Sequence, residues 1–362
     1  MRFVSVNNIR RWLASVGPEA AIAGMIDALE VDFRRWPEFE LRPRVASHSK
    51  DGVIELMPTA DGATYGFKFV NGHPSNPARG YQTVTAFGVL ADVHNGYPRF
   101  QSEMTILTAL RTAAMSGLAT KHLAPEGPCN LGLIGAGSQS EFQTLAVKIV
   151  RGLGKVSVFD VDRAASEKLA RNLAPLGIDV HIADSAAEAV ADADVITTCT
   201  ADKRNATVLS LEDVRPGVHI NGIGGDCPGK TELDHRILDL GPVFVEYPEQ
   251  TRIEGEIQAK PEDYPVTEIW QVVAGLKEGR TGADQVTIFD SVGFAIEDFT
   301  ALCYLEKAVE DTGFYEEIDL IADPEDPKDL FGLIGEEVAD RIPASQFAGA
   351  SSHRRIREVT PA

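Results

Sequence analysis

Asn130-Leu-Gly-Leu-Ile-Gly-Ala-Gly-Ser-Gln-Ser140 runs from five residues of strand character, Leu131 to Gly135, through a glycine turn into the helical pattern Glu141-Phe-Gln-Thr-Leu-Ala-Val-Lys-Ile-Val150. This is the strand, turn and helix of a dinucleotide-binding unit. Gly135 permits the tight turn, Gly137 lets the backbone approach a pyrophosphate, and the helix N-terminus turns its free N–H groups toward that anion. Glycines at this spacing also occur in plain tight turns, so the next strand matters. Lys155-Val-Ser-Val-Phe-Asp160 ends in an acid 23 residues after Gly137, where a ribose-binding carboxylate belongs. Ser140 replaces the third glycine of the pattern, which predicts a slightly wider gap between helix and strand.

Downstream, strands and helices alternate through Asp179-Val-His-Ile182, Ala193-Asp-Val-Ile-Thr-Thr-Cys-Thr200, Gly217-Val-His-Ile-Asn-Gly222, Pro242-Val-Phe-Val-Glu-Tyr247 and Val286-Thr-Ile-Phe-Asp-Ser291. That alternation predicts a Rossmann-type, doubly wound parallel α/β sheet with its ligand crevice at the carboxyl ends of the strands. Two of those ends are chemically unusual: Thr200-Ala-Asp202-Lys203 and Gly224-Gly-Asp226-Cys-Pro-Gly-Lys230. In the latter, glycines leave room and a proline fixes the turn around one carboxylate. Asp226 is therefore a candidate proton acceptor for an amine losing hydride, with a helix cap at Thr231 as the alternative. Cys227 has no histidine neighbour in sequence and reads as a small packed residue.

Upstream, residues 7 to 36 carry apolar positions at helical spacing, with Pro18 and Glu19 opening a second helix. From about 40 to 100 the pattern changes to Val53-Ile-Glu-Leu-Met57, Tyr65-Gly-Phe-Lys-Phe-Val70 and Thr83-Val-Thr-Ala-Phe-Gly-Val-Leu90, which predicts a mostly antiparallel sheet. Charges interrupt it: Glu55 between Ile54 and Leu56, Lys68 between Phe67 and Phe69, and Arg44 just before. Each is either a solvated face or a site. The alanine-rich helix Ser102 to Lys121 carries Arg111 on a surface of small residues, where a guanidinium needs an anion, a ligand's or an internal one. Phe294 to Val309 reads as a helix returning to the antiparallel sheet.

At 362 residues two domains are expected. Hydrophobic residues at 44% and charged residues at 24% fit a soluble globular enzyme. A formal charge of −20 repels nucleic acid and anionic membranes, and neither a signal peptide nor a membrane span is visible, so a cytoplasmic protein is expected. Cys129, Cys199, Cys227 and Cys303 lack metal-ligand spacing, so no metal site or disulfide framework is expected.

Arg44-Val-Ala-Ser-His-Ser, Gly52-Val-Ile-Glu-Leu-Met-Pro58, Phe67-Lys-Phe-Val-Asn-Gly-His-Pro74, Ala109-Leu-Arg-Thr-Ala-Ala114, Gly224 to Leu233, Tyr247 to Glu256 and Phe289-Asp-Ser-Val-Gly-Phe294 together resemble the ornithine cyclodeaminase branch of the ornithine cyclodeaminase/μ-crystallin family. The block around Asp226 is the most specific of them. The resemblance implies that Arg44, Lys68 and Arg111 hold a substrate carboxylate, that Glu55 shares their pocket, that Val292 lies against the substrate, and that Asp226 is the catalytic acid/base. It implies NAD contacts by Thr83, Arg111, Ser138, Gln139, Thr200, Lys230 and Ser291 beside Gly135, Gly137 and Asp160. Asp202 and Asn221, at two strand ends, are added to that set. The implied activity is conversion of L-ornithine to L-proline and ammonia, within ornithine and arginine catabolism and proline biosynthesis, by a homodimer. A lysine cyclodeaminase, an alanine dehydrogenase, a cyclic-imine reductase and a crystallin-like nucleotide binder without turnover are the alternatives. The expected division is a substrate-binding and dimerisation domain of residues 1–115 with 312–362, and an NAD-binding domain of residues 116–311.

Overall fold

A computed structural model describes residues 1–201, 206–225 and 227–334. Asp202, Asp226 and the basic run at 353–357 lie outside the described residues. Residues Arg2–Glu317 form one compact unit, and Met1 with residues 318–334 belongs to another. In the latter, Ile318 N donates to Met1 O at 2.9 Å and the terminal amine donates back to Ile318 O at 3.1 Å.

Within Arg2–Glu317 the chain opens with β1 (Arg2–Val4), α1 (Val6–Val16) and α2 (Pro18–Arg34). Ser5 Oγ caps α1 by accepting from Asn8 N, and Pro18 occupies the first turn of α2, as its missing N–H allows. The antiparallel region follows as β2 (Val45–His48), β3 (Val53–Ala60), β4 (Thr64–Gly72), β5 (Val84–Asp92) and β6 (Pro98–Glu103). These strands are longer than the apolar runs that predicted them. They form a sheet in the order β1-β6-β5-β4-β3-β2, with β1 parallel to β6, and β15 (Glu316–Glu317) pairs with the free edge of β1. The sequence pattern leaves β1, β2, β6 and β15 unmarked, since each is too short to show alternation.

Period-two alternation gives this sheet two different faces. One row places Met57, Lys68 and Gly88 opposite one another, next to a row with Glu55, Val70 and Ala86. This face is covered by α9 (Ala295–Val309), which does return to the sheet. A Cβ built on Gly88 would lie 2.9 Å from Leu302 Cδ1, so glycine lets helix and sheet approach there. Phe299, Leu302 and Leu305 of α9 are fully buried, each contributing roughly 1.5–3 kcal/mol. The opposite face carries Val45, Leu56, Phe69 and Phe87 in one register row, and Phe69 and Phe87 stack at 5.2 Å.

α3 (Thr105–Leu123) leads into the second sheet: β7 (Cys129–Ile134), α4 (Ser140–Arg151), β8 (Leu153–Phe159), α5 (Arg163–Leu173), β9 (Val180–Ile182), α6 (Ala186–Val190), β10 (Val195–Thr198), β11 (His219–Gly222), β12 (Val243–Val245), α7 (Pro248–Glu254), β13 (Thr267–Glu268), α8 (Ile269–Val273) and β14 (Thr287–Asp290). Its strands are all parallel, in the order β13-β12-β14-β11-β10-β7-β8-β9. The strands β10, β11, β14 and β12 are buried along their whole lengths, as a sheet covered on both faces requires. This is the doubly wound α/β fold. Strand order reverses between β7 and β10, which opens a crevice at their carboxyl ends. No helix among the described residues is long and apolar enough to cross a membrane, and no cluster of His, Cys, Asp or Glu among them is placed to hold a metal ion.

Candidate active site

The glycine turn leaves β7 at that crevice. Gly135 has φ +104°, and a Cβ there would lie 2.8 Å from Cys199 O, just past β10, so only glycine suits both backbone and space. A Cβ on Gly137 would meet nothing within 4 Å, leaving the turn open on its outer side. α4 starts with no side-chain cap, so its first N–H groups remain available to an anion. Ser138 is exposed beside them, and Gln139 Oε1 is buried without a partner. Asp160 follows β8, where Ala136 N at 2.7 Å and Asp162 N at 2.8 Å donate to its carboxylate and aim it at the turn. These features fit a dinucleotide. Ser140, in place of the third glycine, is fully buried and donates its hydroxyl to Gly137 O at 2.8 Å, so it fastens the turn.

Just past the carboxyl end of β14 stand the expected cations, each held by carboxylates. Arg44 donates to Val292 O at 2.6 Å and Gly293 O at 2.8 Å, with Glu55 at 3.1 Å and Glu254 at 3.1 Å beside it. Gln250 joins this knot by accepting from Arg44 N and donating to Gly293 O. Lys68 donates to Asp298 at 2.7 Å, and Arg111 lies between Glu297 at 2.6 Å and Asp298 at 2.9 Å. Arg111 also borders Gly293, whose Cβ would fall 2.6 Å from Nη1. Glu55, Lys68 and Arg111 thus belong to one buried cluster rather than to solvated faces, and the internal anions considered for Arg111 are Glu297 and Asp298. Burial, reinforced by Arg111, pushes Lys68 down to about 8. Burial also lifts Glu297 above the ordinary carboxylate range, against the pull of Arg111.

The remaining expected residues line the strand ends. Lys230 Nζ donates to Thr200 O at 3.0 Å, while Thr200 N and Oγ1 donate to Glu232. Ser291 Oγ donates to the fully buried Glu246. Val292 is buried, and Thr83 precedes β5 with its carbonyl accepting from His73 N at 2.8 Å. Asn221 is fully buried and hydrogen-bonded to His219 and to Thr120 Oγ1, so its side chain ties β11 to α3.

The loop Gly224–Leu233, which carries Asp226, is fixed along its C-terminal half. Glu256 accepts from Glu232 N at 2.7 Å and Leu233 N at 3.0 Å, Asp290 accepts in turn from Glu256 N and Ile257 N, and Gln258 bonds Gly229 N and Lys230 O. Burial, aided by the charge of Asp290, raises Glu256 to about 8, and burial raises Asp290 to about 7. No helix begins at Thr231; the next helical turn is His235–Asp239, capped by Asp234, so the cap reading of Asp226 loses its helix. Sequence reasoning missed Glu232, Glu246, Glu254, Glu256, Glu297 and Asp298 as members of this network. The visible signal was the density of acids inside otherwise apolar or glycine-rich runs, as in Phe294-Ala-Ile-Glu-Asp-Phe299.

The glycine turn after β7 and the cations gathered at Val292 to Asp298, just past β14, make up the candidate site. The profile of the ornithine cyclodeaminase/mu-crystallin family matches residues 6–313. The chain belongs to that family. Over 332 residues it is 57% identical to the ornithine cyclodeaminase of Brucella suis, covering 92% of this chain and 93% of that one. Among solved structures, a lysine cyclodeaminase described as recognising L-lysine, L-ornithine and L-2,4-diaminobutyric acid superposes with a TM-score of 0.85 at 31% identity, covering 92% of this chain and 99% of that one. An archaeal alanine dehydrogenase dimer with bound NAD superposes with a TM-score of 0.80 at 31% identity, covering 89% and 99%. Proteins named as cyclodeaminases and one named as a dehydrogenase are thus both similar to this chain over most of its length.

Proposed function

We propose that this member of the family is an NAD-dependent ornithine cyclodeaminase converting L-ornithine to L-proline and ammonia. The observation that carries the reading is the 57% identity, nearly end to end, to ornithine cyclodeaminases, against 31% to a lysine cyclodeaminase. Gly135, Gly137, the α4 N-terminus and Asp160 hold the cofactor, with Ser138, Gln139, Thr200, Lys230 and Ser291 along the strand ends. NAD, when bound, supplies a hydride acceptor and then a hydride donor for the substrate's α-carbon. Arg44, Lys68 and Arg111 bind the substrate carboxylate, each through charge-assisted hydrogen bonds worth about 1.5–3 kcal/mol. Glu55 faces the same pocket, and Val292 packs against the aliphatic chain. Asp226 takes the amine proton as the α-carbon is oxidised and returns a proton as ammonia leaves. The δ-amine, part of the same bound molecule, then attacks C2. Incubation with ornithine, lysine and alanine separately, with products identified by mass, tests the assignment. Proline from ornithine is expected; lysine as the better substrate would move the chain to the neighbouring activity, because one methylene carries only about 1–3 kcal/mol of discrimination.

NAD is expected to bind at least tenfold more tightly than NADP. Asp160 suits a ribose hydroxyl, whereas a 2′-phosphate about 4 Å away meets repulsion of roughly 4 kcal/mol at an effective dielectric of 20, before solvent screening. Arg163 does not offset this, since it is turned to Asp184 at 3.4 Å and Glu167 at 3.8 Å. Equal affinities by calorimetry would remove Asp160 from the ribose.

The two sheets are proposed as two domains, residues 1–115 with the returning C-terminal chain and residues 116–311. The first would form a homodimer through its uncovered face, where Val45 is 65%, Leu56 44% and Phe87 38% exposed. A row of apolar side chains of this extent is a normal interface core. Light scattering at micromolar concentration is expected to give about 78 kDa, twice the 39.1 kDa chain mass, and a monomeric mass would count against it.

A further inference from the structure

Three buried side chains from three separate elements meet at one oxygen. Lys68 Nζ on β4 lies 2.7 Å, and Arg111 Nε on α3 lies 2.9 Å, from Oδ1 of Asp298 in the first turn of α9. The side chains are 1%, 7% and 1% exposed, so bulk water screens these charges little. Two cations this close repel each other, and the carboxylate between them is what holds them together. Arg111 Nη1 is further fixed by Glu297, which also caps α9 by accepting from Phe294 N. The remaining donors, two on the Lys68 ammonium, those of Arg111 Nη2, and Arg111 Nε, whose contact with Oδ1 is an ion pair without a hydrogen bond, have no hydrogen-bond acceptor among the described residues. An ion pair that served stability alone would not need one oxygen to serve two cations while both keep unused donors.

We propose that Asp298 is a positioning residue: its Oδ1 sets the separation and aim of Lys68 and Arg111, so that their unused donors form a preorganised fork for the two oxygens of the substrate carboxylate. The inference rests on the assignment of those two cations to that carboxylate. It adds a residue that never touches the substrate and that binds only through the other two. The charged groups facing Lys68 are Asp298 on α9, Arg111 on α3 and Arg44 ahead of β2. Of these only Asp298 favours the protonated amine; burial and the two arginines oppose it. Loss of the Asp298 charge therefore shifts the Lys68 ionisation toward lower pH. Because kcat/KM reports ionisations of the free enzyme, its fall on the alkaline side, expected near pH 8 in the wild type, moves with it.

Asp298→Asn is expected to raise KM for ornithine at least tenfold, to leave kcat at saturation within about threefold, and to leave the NAD Kd by calorimetry within twofold. The alkaline limb of kcat/KM is expected to move down by about 1 pH unit or more, and the substrate's own titration, common to both enzymes, cancels in the comparison. Asp298→Glu keeps the charge while displacing the oxygen by one methylene; in folded protein it is expected to raise KM and keep the wild-type alkaline limb. A purely structural Asp298 would instead lower Tm with KM and the pH profile unchanged. Wild-type KM and alkaline limb in folded Asp298→Asn, or wild-type KM in Asp298→Glu should the Asn variant not fold, overturns the proposal. Lys68→Met separates this from failure of the underlying assignment. If Lys68→Met raises KM and the Asp298 variants do not, the inference alone falls; if Lys68→Met leaves KM unchanged, the assignment of the cations falls and the inference with it.

Discussion

Ammonia is expected to accumulate in large molar excess over NADH when the protein turns over ornithine with substoichiometric NAD⁺. An amino-acid dehydrogenase releases reduced cofactor once per turnover, so absorbance of the reduced nicotinamide rises in step with ammonia. In cyclodeamination the imine formed at C2 is also the precursor of the cyclic imine that is reduced, and oxidation and reduction cancel within one cycle. Ring closure is favoured because the δ-amine is part of the same bound molecule, and intramolecular attack replaces a bimolecular encounter with effective concentrations that can reach about 10⁵ M or more. The site supports retention of the substrate through both halves, since the cations assigned to its carboxylate are anchored on three elements, β4, α3 and the segment before β2. Ornithine deuterated at Cα is then expected to give proline that keeps the label at C2. Loss of the label, or NADH formed one for one with ammonia, would leave a simple dehydrogenase, the activity named for the archaeal structural relative.

Asp226→Asn is expected to lower turnover by about 10² or more with NAD affinity and Tm close to wild type, because positioned acid/base groups supply about 10²–10⁴ in rate. Folding should survive because the loop is held independently of that side chain: Glu256 binds Glu232 N and Leu233 N, Gln258 binds Gly229 N and Lys230 O, and Lys230 reaches Thr200 O. The flanking glycines are required by the same framework, since a Cβ on Gly225 would lie 3.0 Å from Glu256 Oε1 and one on Gly224 would collide with the Glu232 carboxyl group. Steady-state kinetics, calorimetry and thermal unfolding on one preparation separate the outcomes. Near-normal turnover in a folded variant would remove Asp226 from proton transfer.

The parts of this protein written in local sequence are those whose chemistry and geometry are local. Gly135, Gly137 and Asp160 lie within 26 residues of one another, and the turn, the helix start and the acid at the end of β8 follow from spacing alone. The alternation of strand and helix likewise dictated the parallel sheet, because a buried strand needs an apolar run and its crossover needs an amphipathic helix. The charges in β3, β4 and α3 were visible as interruptions of apolar runs, but periodicity assigns a residue to a face and says nothing of what that face meets. Their partners lie far along the chain: 230 residues separate Lys68 from Asp298, 186 separate Arg111 from Glu297, and 249 separate Arg44 from Gly293. Only the return of α9 onto the antiparallel sheet brings them together. That packing turns charges isolated in the sequence into one cluster, since a buried ion is tolerated only where a counter-ion from elsewhere in the fold arrives beside it.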